Sequence, residues 1–193
     1  IYVVDGEATI DLEGRPQTLR SNATWFGAGS CSVRGGTEGA RLWRWEVVEA
    51  TPGDDGTASG EGVASELKLV REIVLDQAEH YLIRCDRVDF PLGGIAYTHT
   101  HRGPGTRCLL RGELTVRVNE TDSLLHPGEA WFERGPDPVY AEASATRPTS
   151  FIRGMVLPRS LKGMSSIRYV KEEDREKPKT QTYTMFVDES IDI

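Results

Sequence analysis

The sequence predicts an all-β protein, folded as a sandwich or a closed barrel. Segments rich in β-branched and aromatic residues recur at intervals of about ten residues, and this alternation dominates over helical spacing. The 20 glycines and 10 prolines supply turns between such segments. Part of the sequence also repeats with a constant offset of 106 positions, which indicates two related modules. A closed barrel fits this pattern because it leaves no exposed strand edge.

The repeat aligns residues 2–33 with residues 108–139. Eight of these 32 positions are identical without a gap, and they fall on turn residues and on a Trp-Phe strand. The identical pairs are Gly6/Gly112, Glu7/Glu113, Thr9/Thr115, Leu19/Leu125, Trp25/Trp131, Phe26/Phe132, Gly29/Gly135 and Val33/Val139. The strands that follow, 40–48 and 150–157, correspond after a short gap. We interpret the pattern as a duplication.

The segment between the two copies is acidic, glycine-rich and without periodicity, which is typical of a flexible linker. The chain then divides into residues 1–49, the C-terminal half of a first module; 50–65, the linker; 66–157, a second module; and 158–193, a C-terminal extension. The first copy lacks a counterpart of residues 67–101. We therefore expect further residues before Ile1 that complete the first module, or packing of residues 1–49 on the second module or on a partner chain.

The predicted strands of the second module are 67–75, 80–90, 94–101, 107–110, 113–119, 123–125, 130–133, 139–143 and 150–157. A short helix is predicted at 160–164 and a last strand at 181–187. Between them, the alternating charges of residues 171–179 indicate a solvated tail.

Composition excludes several classes of function. The formal net charge is −7 and basic residues are scattered, so no stripe suited to nucleic acid is present. No apolar run approaches the about 18 residues of a membrane span. The three cysteines form no CxxC pair, which argues against a zinc ribbon or a disulfide framework and favours the cytoplasm.

His99 and His101 are the clearest candidates for a functional site. Side chains two positions apart on a strand point to the same face, so both imidazoles can chelate one divalent ion. Imidazole suits Fe, Zn, Ni or Mn. Two surface histidines beside the Gly-Pro-Gly turn that follows are the alternative interpretation.

The surroundings of the pair resemble the first motif of the cupin superfamily. Counted from Gly93, five residues precede His99-Thr-His101, three more lead to Gly105, and six more lead to Gly112. A looser match to the second motif ends at Val139. The resemblance implies a double-stranded β-helix, the RmlC-like jelly-roll barrel, here duplicated as a bicupin whose first module is incomplete in this chain.

Two of the four metal ligands that this resemblance implies are missing. Gly105 stands where the motif has Glu, and Val139 stands where it has its last His. A two-ligand site needs water, substrate or another side chain to complete the coordination of the ion. Glu133 and Tyr140 are the candidate replacements.

The alternation of side chains between the two faces of a strand suggests further residues of the same cavity. Tyr97 lies two positions before His99, and Arg107 lies two positions after Gly105, so both are expected to face inward. Arg107 suits a substrate carboxylate, or else pairs with an acid. Arg153 is a second inward cation or faces solvent. With Tyr140, these residues are the candidates for binding a small-molecule ligand.

Three functions are compatible with these residues. The first is a metal-dependent enzyme of the oxygenase or isomerase type, acting on a small organic acid, in which the metal polarises substrate or binds oxygen. The second is a metal-free small-molecule binding or sensing protein. The third is a metal-free enzyme with a histidine base, as in the sugar-epimerase relatives of this fold. We also expect a homodimer, since two-fold pairing is the commonest form of assembly.

Overall fold

The computed structural model describes residues 1–49 and 56–192, and strands dominate both stretches. The chain divides into two compact units, Ile1–Val48 and Glu49–Ile193. Residues 50–55 of the predicted linker lie outside the described residues. None of the described helices is long or apolar enough to cross a membrane. The predicted all-β class is confirmed.

The first unit is a three-stranded antiparallel sheet. It contains β1 (Tyr2–Leu12), β2 (Arg15–Arg20) and β3 (Ser32–Trp43), in the spatial order β2-β1-β3. Its core is a small apolar cluster formed by Val3, Ile10 and Leu19.

The described residues of the second unit, 49 and 56–192, form ten strands. They are β4 (Tyr81–Phe90), β5 (Ile95–His101), β6 (Gly105–Arg111), β7 (Leu114–Val118), β8 (Thr121–Leu125), β9 (Ala130–Glu133), β10 (Val139–Ala143), β11 (Thr149–Pro158), β12 (Ile167–Tyr169) and β13 (Thr182–Ile191). They form two five-stranded antiparallel sheets, ordered β12-β5-β10-β7-β8 and β13-β4-β11-β6-β9.

The connectivity of these strands defines a jelly roll. Along the chain, consecutive strands alternate between the two sheets, and only the β7–β8 hairpin stays within one sheet. The main apolar cluster draws side chains from both sheets, among them Val88, Leu109 and Phe151 from one and Leu114 and Val139 from the other. The core therefore lies between two facing sheets. The predicted double-stranded β-helix of the cupin type is confirmed.

Backbone geometry supports the duplication. The hairpins β1–β2 and β7–β8 share one register, since Ala8 opposite Leu19 corresponds to Leu114 opposite Leu125 at the offset of 106. Positive φ values recur at the same offset in the pairs Gly6/Gly112, Glu13/Asn119, Gly14/Glu120, Asn22/Gly128 and Gly29/Gly135. The two modules thus agree in pairing and in turns.

The predicted strand Leu67–Leu75 is wrong. This stretch has no regular secondary structure, and Leu67, Val70 and Val74 are exposed. β4 is paired with β11 on one side and with β13 on the other, so it has no free edge for an additional strand. The C-terminal strand β13 takes the second edge of β4.

The C-terminal extension is more structured than the sequence indicated. In place of the predicted helix at 160–164 lies a 3-10 helix, Arg159–Leu161, and a short helix α1 (Glu173–Glu176) interrupts the predicted solvated tail. Asp174 is buried and accepts a hydrogen bond from Lys177. The solvated-tail interpretation is therefore wrong at this point. The predicted last strand is β13, which continues beyond residue 187.

Candidate functional site

His99 and His101 lie together at the end of β5. Both side chains are buried, and their Nε2 atoms are 3.2 Å apart. The rings meet edge to face and both line one internal cavity of about 30 Å³. The pair therefore presents two imidazole nitrogens to the same point of the interior.

Hydrogen bonds on the far side of each ring fix its orientation. His99 Nδ1 is 2.7 Å from the carbonyl oxygen of Tyr97, which can only accept, so His99 carries its proton on Nδ1 and leaves Nε2 as a free acceptor. His101 Nδ1 is 3.2 Å from Ser166 Oγ, a hydroxyl that either donates or accepts. Ser166 thus tolerates either tautomer of His101.

Both imidazoles are neutral at physiological pH. Burial lowers the pKa of His99 below its ordinary value, although its bond to the Tyr97 carbonyl opposes the change. Burial likewise lowers the pKa of His101 to about 3, against the contact with the Glu133 carboxylate, which favours the charged form. Neutral imidazole is the form that ligates metal ions.

Glu133 brings a carboxylate to the His pair from β9. Its Oε2 atom lies 3.3 Å from His101 Nε2, and its Oε1 atom accepts a hydrogen bond from Trp131 Nε1 at 2.9 Å. Burial alone would raise the pKa of Glu133, but the Arg107 guanidinium, the contact with His101 and the hydrogen bond from Trp131 outweigh it, and the pKa lies below its usual range. The carboxylate is therefore ionised although it is buried.

Arg107 is the counter-charge of this carboxylate. Its Nη2 atom lies 2.7 Å from Glu133 Oε2, and its Nη1 atom donates to the carbonyl of Gly105. Burial lowers the pKa of Arg107 to about 10, which keeps it charged. The Arg107–Glu133 contact has ion-pair distance but not hydrogen-bond geometry, so Arg107 Nη2 and Glu133 Oε2 are buried without a hydrogen-bond partner. Arg107 and Glu133 thus form a buried ion pair on the wall of the cavity.

Arg153 also lines the cavity, and it is paired more tightly. It donates two hydrogen bonds to Asp86, at 2.6 and 2.9 Å, and its guanidinium lies 5.5 Å from the ring centroid of Tyr183. The charges of the two pairs, Arg107 with Glu133 and Arg153 with Asp86, sum to zero, so the charges around the cavity are balanced.

The other two predicted ligand-binding residues do not line the cavity. A register shift between β5 and β10 places two residues, Tyr97 and Thr98, opposite one residue of β10, so Ala96 shares the inner side with His99 and Tyr97 does not. The inward orientation expected of Tyr97 is therefore wrong, and its ring instead contacts the ammonium group of Lys177 at 5.0 Å. Tyr140 follows the inward Val139, and its hydroxyl donates to Glu142.

The C-terminal extension supplies part of the site, which the sequence did not predict. β12 pairs with β5, placing Tyr169 opposite His99 and Ile167 opposite His101. Ile167, Gln181 and Tyr183 line the cavity. Gln181 Oε1 is a third buried atom of the cavity without a hydrogen-bond partner. The charged residues of this segment gave no signal of such packing, because alternating charges are typical of exposed chain.

A larger groove adjoins the cavity. It has a volume of about 370 Å³ and is lined by Val118, Asn119, Phe132, Glu133, Arg134, Asp137 and Val139. Glu133 and Val139 line both spaces. The cavity has about the volume of one water molecule in the liquid, whereas the groove has room for a small organic molecule.

The residues fit a divalent ion in part. Donor atoms about 2.1 Å from one ion, at tetrahedral or octahedral angles, lie roughly 3.0–3.4 Å apart, and the two Nε2 atoms are 3.2 Å apart. Across the residues described, no group of three His, Cys, Asp or Glu side chains is placed to hold a metal ion. The arrangement as it stands thus offers two imidazole ligands, with the Glu133 carboxylate beside them paired with Arg107.

Known structures resemble parts of this chain. An RmlC-like cupin from Shewanella frigidimarina is 20% identical, with a TM-score of 0.36, over 39% of this chain and 66% of its own. A DMSP lyase from Ruegeria pomeroyi is 21% identical, with a TM-score of 0.36, over 38% of each chain. A mutant of salicylate 1,2-dioxygenase from Pseudoaminobacter salicylatoxidans is 13% identical, with a TM-score of 0.48, over 80% of this chain and 62% of its own.

The chain therefore spans between 38% and 66% of the length of these three proteins. No protein-family model matches it, and no curated protein does. Its strands alternate between two facing antiparallel sheets, and its His pair lies on β5 inside the barrel. By this architecture the chain is a protein of the cupin fold.

Proposed function

We propose that the chain is part of a metal-dependent enzyme of the oxygenase or isomerase type that acts on a small organic acid. The observation that carries this proposal is the 3.2 Å separation of the His99 and His101 Nε2 atoms at one buried cavity. Two neutral imidazoles held edge to face at this distance suit a shared divalent ion, such as Fe, Zn, Ni or Mn.

His99 and His101 would hold the ion through Nε2. His99 already carries its proton on Nδ1, and His101 would carry its proton on Nδ1 as well, with Ser166 Oγ as the acceptor. A bound divalent ion would supply Lewis-acid polarisation of a ligand oxygen. The apolar side chains around the cavity, such as Val116 and Phe151, exclude water from this point.

Charge favours an acid as the ligand. The two arginines and two acids of the cavity walls already balance, and both histidines are neutral. A divalent ion adds two positive charges to a buried site, and an anionic ligand offsets them. The groove that shares Glu133 and Val139 with the cavity provides the space for the organic part of the ligand.

Elemental analysis tests the proposal directly. Protein purified without chelator or added metal should carry a transition metal, and a His99→Ala, His101→Ala double variant should lose it. His80 and His126 are the other two histidines of the chain and lie outside the cavity. A His80→Ala, His126→Ala variant is thus the matched control and should keep the metal. Equal metal content in both double variants would contradict the proposal.

A metal-free ligand-binding or sensing protein is the second candidate. The Arg107–Glu133 pair favours it, because the guanidinium competes with a cation for the carboxylate. In that case, small organic acids should raise the melting temperature in the presence of a chelator. Under the first proposal, the same acids should raise it only when metal is present.

A further inference from the structure

We infer that the C-terminal loop, residues 170–181, is a movable wall of the cavity, and that an organic ligand reaches the His pair when this loop opens. The loop joins β12 to β13 and contains α1. Two of its lysines hold it closed against tyrosine rings of the barrel. The inference goes beyond the proposed function, because it applies whether or not the cavity holds a metal ion.

The closed cavity is too small for an organic molecule. Its volume of about 30 Å³ is that of one water molecule in the liquid, and both side chains of the His pair are buried. The groove beside it ends at Glu133 and Val139, which line both spaces. Glu133 is fixed there by the Arg107 guanidinium and by a hydrogen bond from Trp131. Another wall of the cavity must therefore move before a ligand can reach the imidazoles.

Gln181 marks the part of the wall that can move. Among the described residues that line the cavity, it alone lies outside a strand. The strands that carry the other lining residues are held in sheets by backbone hydrogen bonds, whereas no backbone hydrogen bond of the described residues joins 171–180 to a strand of the barrel. Local opening favours regions with few such bonds and few buried contacts, and the C-terminal loop is such a region.

Two lysines attach the loop to the barrel through aromatic rings. The Lys177 ammonium lies 5.0 Å from the centroid of the Tyr97 ring on β5, and the Lys179 ammonium lies 4.5 Å from that of Tyr169 on β12. Within the loop, Lys177 donates to the Asp174 carboxylate, and Lys179 donates to backbone carbonyls. The ammonium groups thus belong to the loop and the rings to the barrel, so the contacts between them can release without disturbing either sheet.

The closed state is weakly held. A cation over an exposed or half-exposed ring is a weak contact, and Tyr97 and Tyr169 are both half-buried. In addition, Gln181 Oε1 is buried without a hydrogen-bond partner, and opening of the loop returns this oxygen to water. A ligand that carries a hydroxyl or amino group can donate to this oxygen and thereby stabilise the closed loop. The expected ligand is therefore an organic acid that also carries a hydrogen-bond donor.

Hydrogen exchange and imidazole modification of the full chain test the inference together. Exchange followed by mass spectrometry measures the opening of residues 171–181. Diethyl pyrocarbonate, applied after chelator treatment so that no ion shields the rings, reports access to His99 and His101. His80 and His126 are exposed and serve as the internal reference. In the wild type these two should react fast, and the buried pair slowly.

Tyr97→Leu removes the ring that both lysines contact. It should speed loop exchange and modification of the His pair by about 5- to 30-fold, the factor that corresponds to two exposed cation–π contacts. Tyr97→Phe keeps the ring and should behave like the wild type. Tyr140→Leu on β10 is the matched control, because its ring is contacted at 5.5 Å by Arg117, a residue outside the loop. Both rates should stay unchanged in this control.

Gln181→Met should have the opposite effect. It removes the buried acceptor that opening satisfies, so loop exchange should slow by about fivefold or more. A loop that is merely packed in place predicts faster exchange in this variant as well. Exchange of the β11 amides should remain at the wild-type rate throughout, which separates local opening from loss of the fold. If Tyr97→Leu does not fold, Lys177→Met removes the cation instead of the ring and provides the same measurement.

Three outcomes would overturn the inference. The His pair reacts as fast as the exposed histidines in the wild type; Tyr97→Leu leaves loop exchange within about twofold of the wild type; or the loop opens while the His pair stays protected, which makes the groove the way in. Elemental analysis measures the metal separately, so failure of the proposed function and failure of this inference are distinguishable.

Discussion

Arg153 and Asp86 stand directly opposite each other on β11 and β4 and are joined by two hydrogen bonds of 2.6 and 2.9 Å. Both side chains are almost completely buried, at 7% and 2% exposure. A pair of this kind adds little stability compared with apolar residues of the same size, but the loss of one partner leaves a buried charge without compensation.

Asp86→Ala should therefore lower the free energy of unfolding by about 3–5 kcal/mol, measured by urea denaturation. A double variant, Asp86→Ala with Arg153→Met, should recover much of this loss because it removes both charges. Disruption of the exposed Arg117–Asp122 pair is the control and should have little effect. Equal effects in the buried and exposed pairs would contradict the prediction.

Gly105→Ala should destabilise the second unit. The new methyl group would approach Met155 Cγ to 2.6 Å and the Gly154 carbonyl oxygen to 2.7 Å, and the backbone oxygen cannot move away without disturbing β11. Overpacking of this kind costs about 1–3 kcal/mol. The shift in the thermal or urea midpoint measures it, and an unchanged midpoint would show that β6 and β11 can separate at this point.

Cys85 and Cys108 should resist alkylation in the folded protein. Burial raises the pKa of each thiol to about 12, with Asp86 adding to the effect at Cys85. The thiolate is the nucleophile, so at pH 8 only about one thiol in 10⁴ is reactive. Peptide mass spectrometry after iodoacetamide treatment should find both residues modified only when urea is present. Rapid labelling of Cys85 without urea would contradict the prediction.

We expect a homodimer, and β13 is the strand to test. It is the outer strand of its sheet, and Met185 on it is 48% exposed. Outer strands offer unpaired backbone groups to another chain. Light scattering should give twice the monomer mass of 21.4 kDa, and Met185→Lys should lower it. Met164→Lys, at a residue that is 57% exposed outside any strand, is the control. A monomer mass for the wild type would rule out the dimer.

Alternation along the sequence predicted most of the jelly roll because each strand of the barrel buries one face. The same pattern misled at residues 67–75, where apolar residues alternate but remain exposed. Strand formation needs a partner edge, and the distant β13 takes the edge of β4. Such competition between segments far apart in sequence is invisible to local periodicity.

The candidate site shows the same division between local and distant information. The alternation of side chains along a strand correctly predicted that His99, His101 and Arg107 line the cavity. The same alternation gave the wrong orientation for Tyr97, because one extra residue in β5 reverses the direction of the side chains that precede it. Glu133 was considered only as a replacement ligand, because its place opposite Gly105 depends on the pairing of β6 with β9.

Because the hairpins β1–β2 and β7–β8 share one register, one can be grafted in place of the other. Glu13-Gly14 and Asn119-Glu120 both have positive φ at the two central turn positions, the geometry that matches the twist of paired strands. A graft of residues 7–20 in place of 113–126 would keep strand length, turn handedness and cross-strand partners. Gly105, Arg107 and Glu133 lie outside the grafted segment, so such a chimaera would keep the polar residues of the cavity, whereas Leu114 and Val116 of its apolar wall would be replaced by alanine and isoleucine.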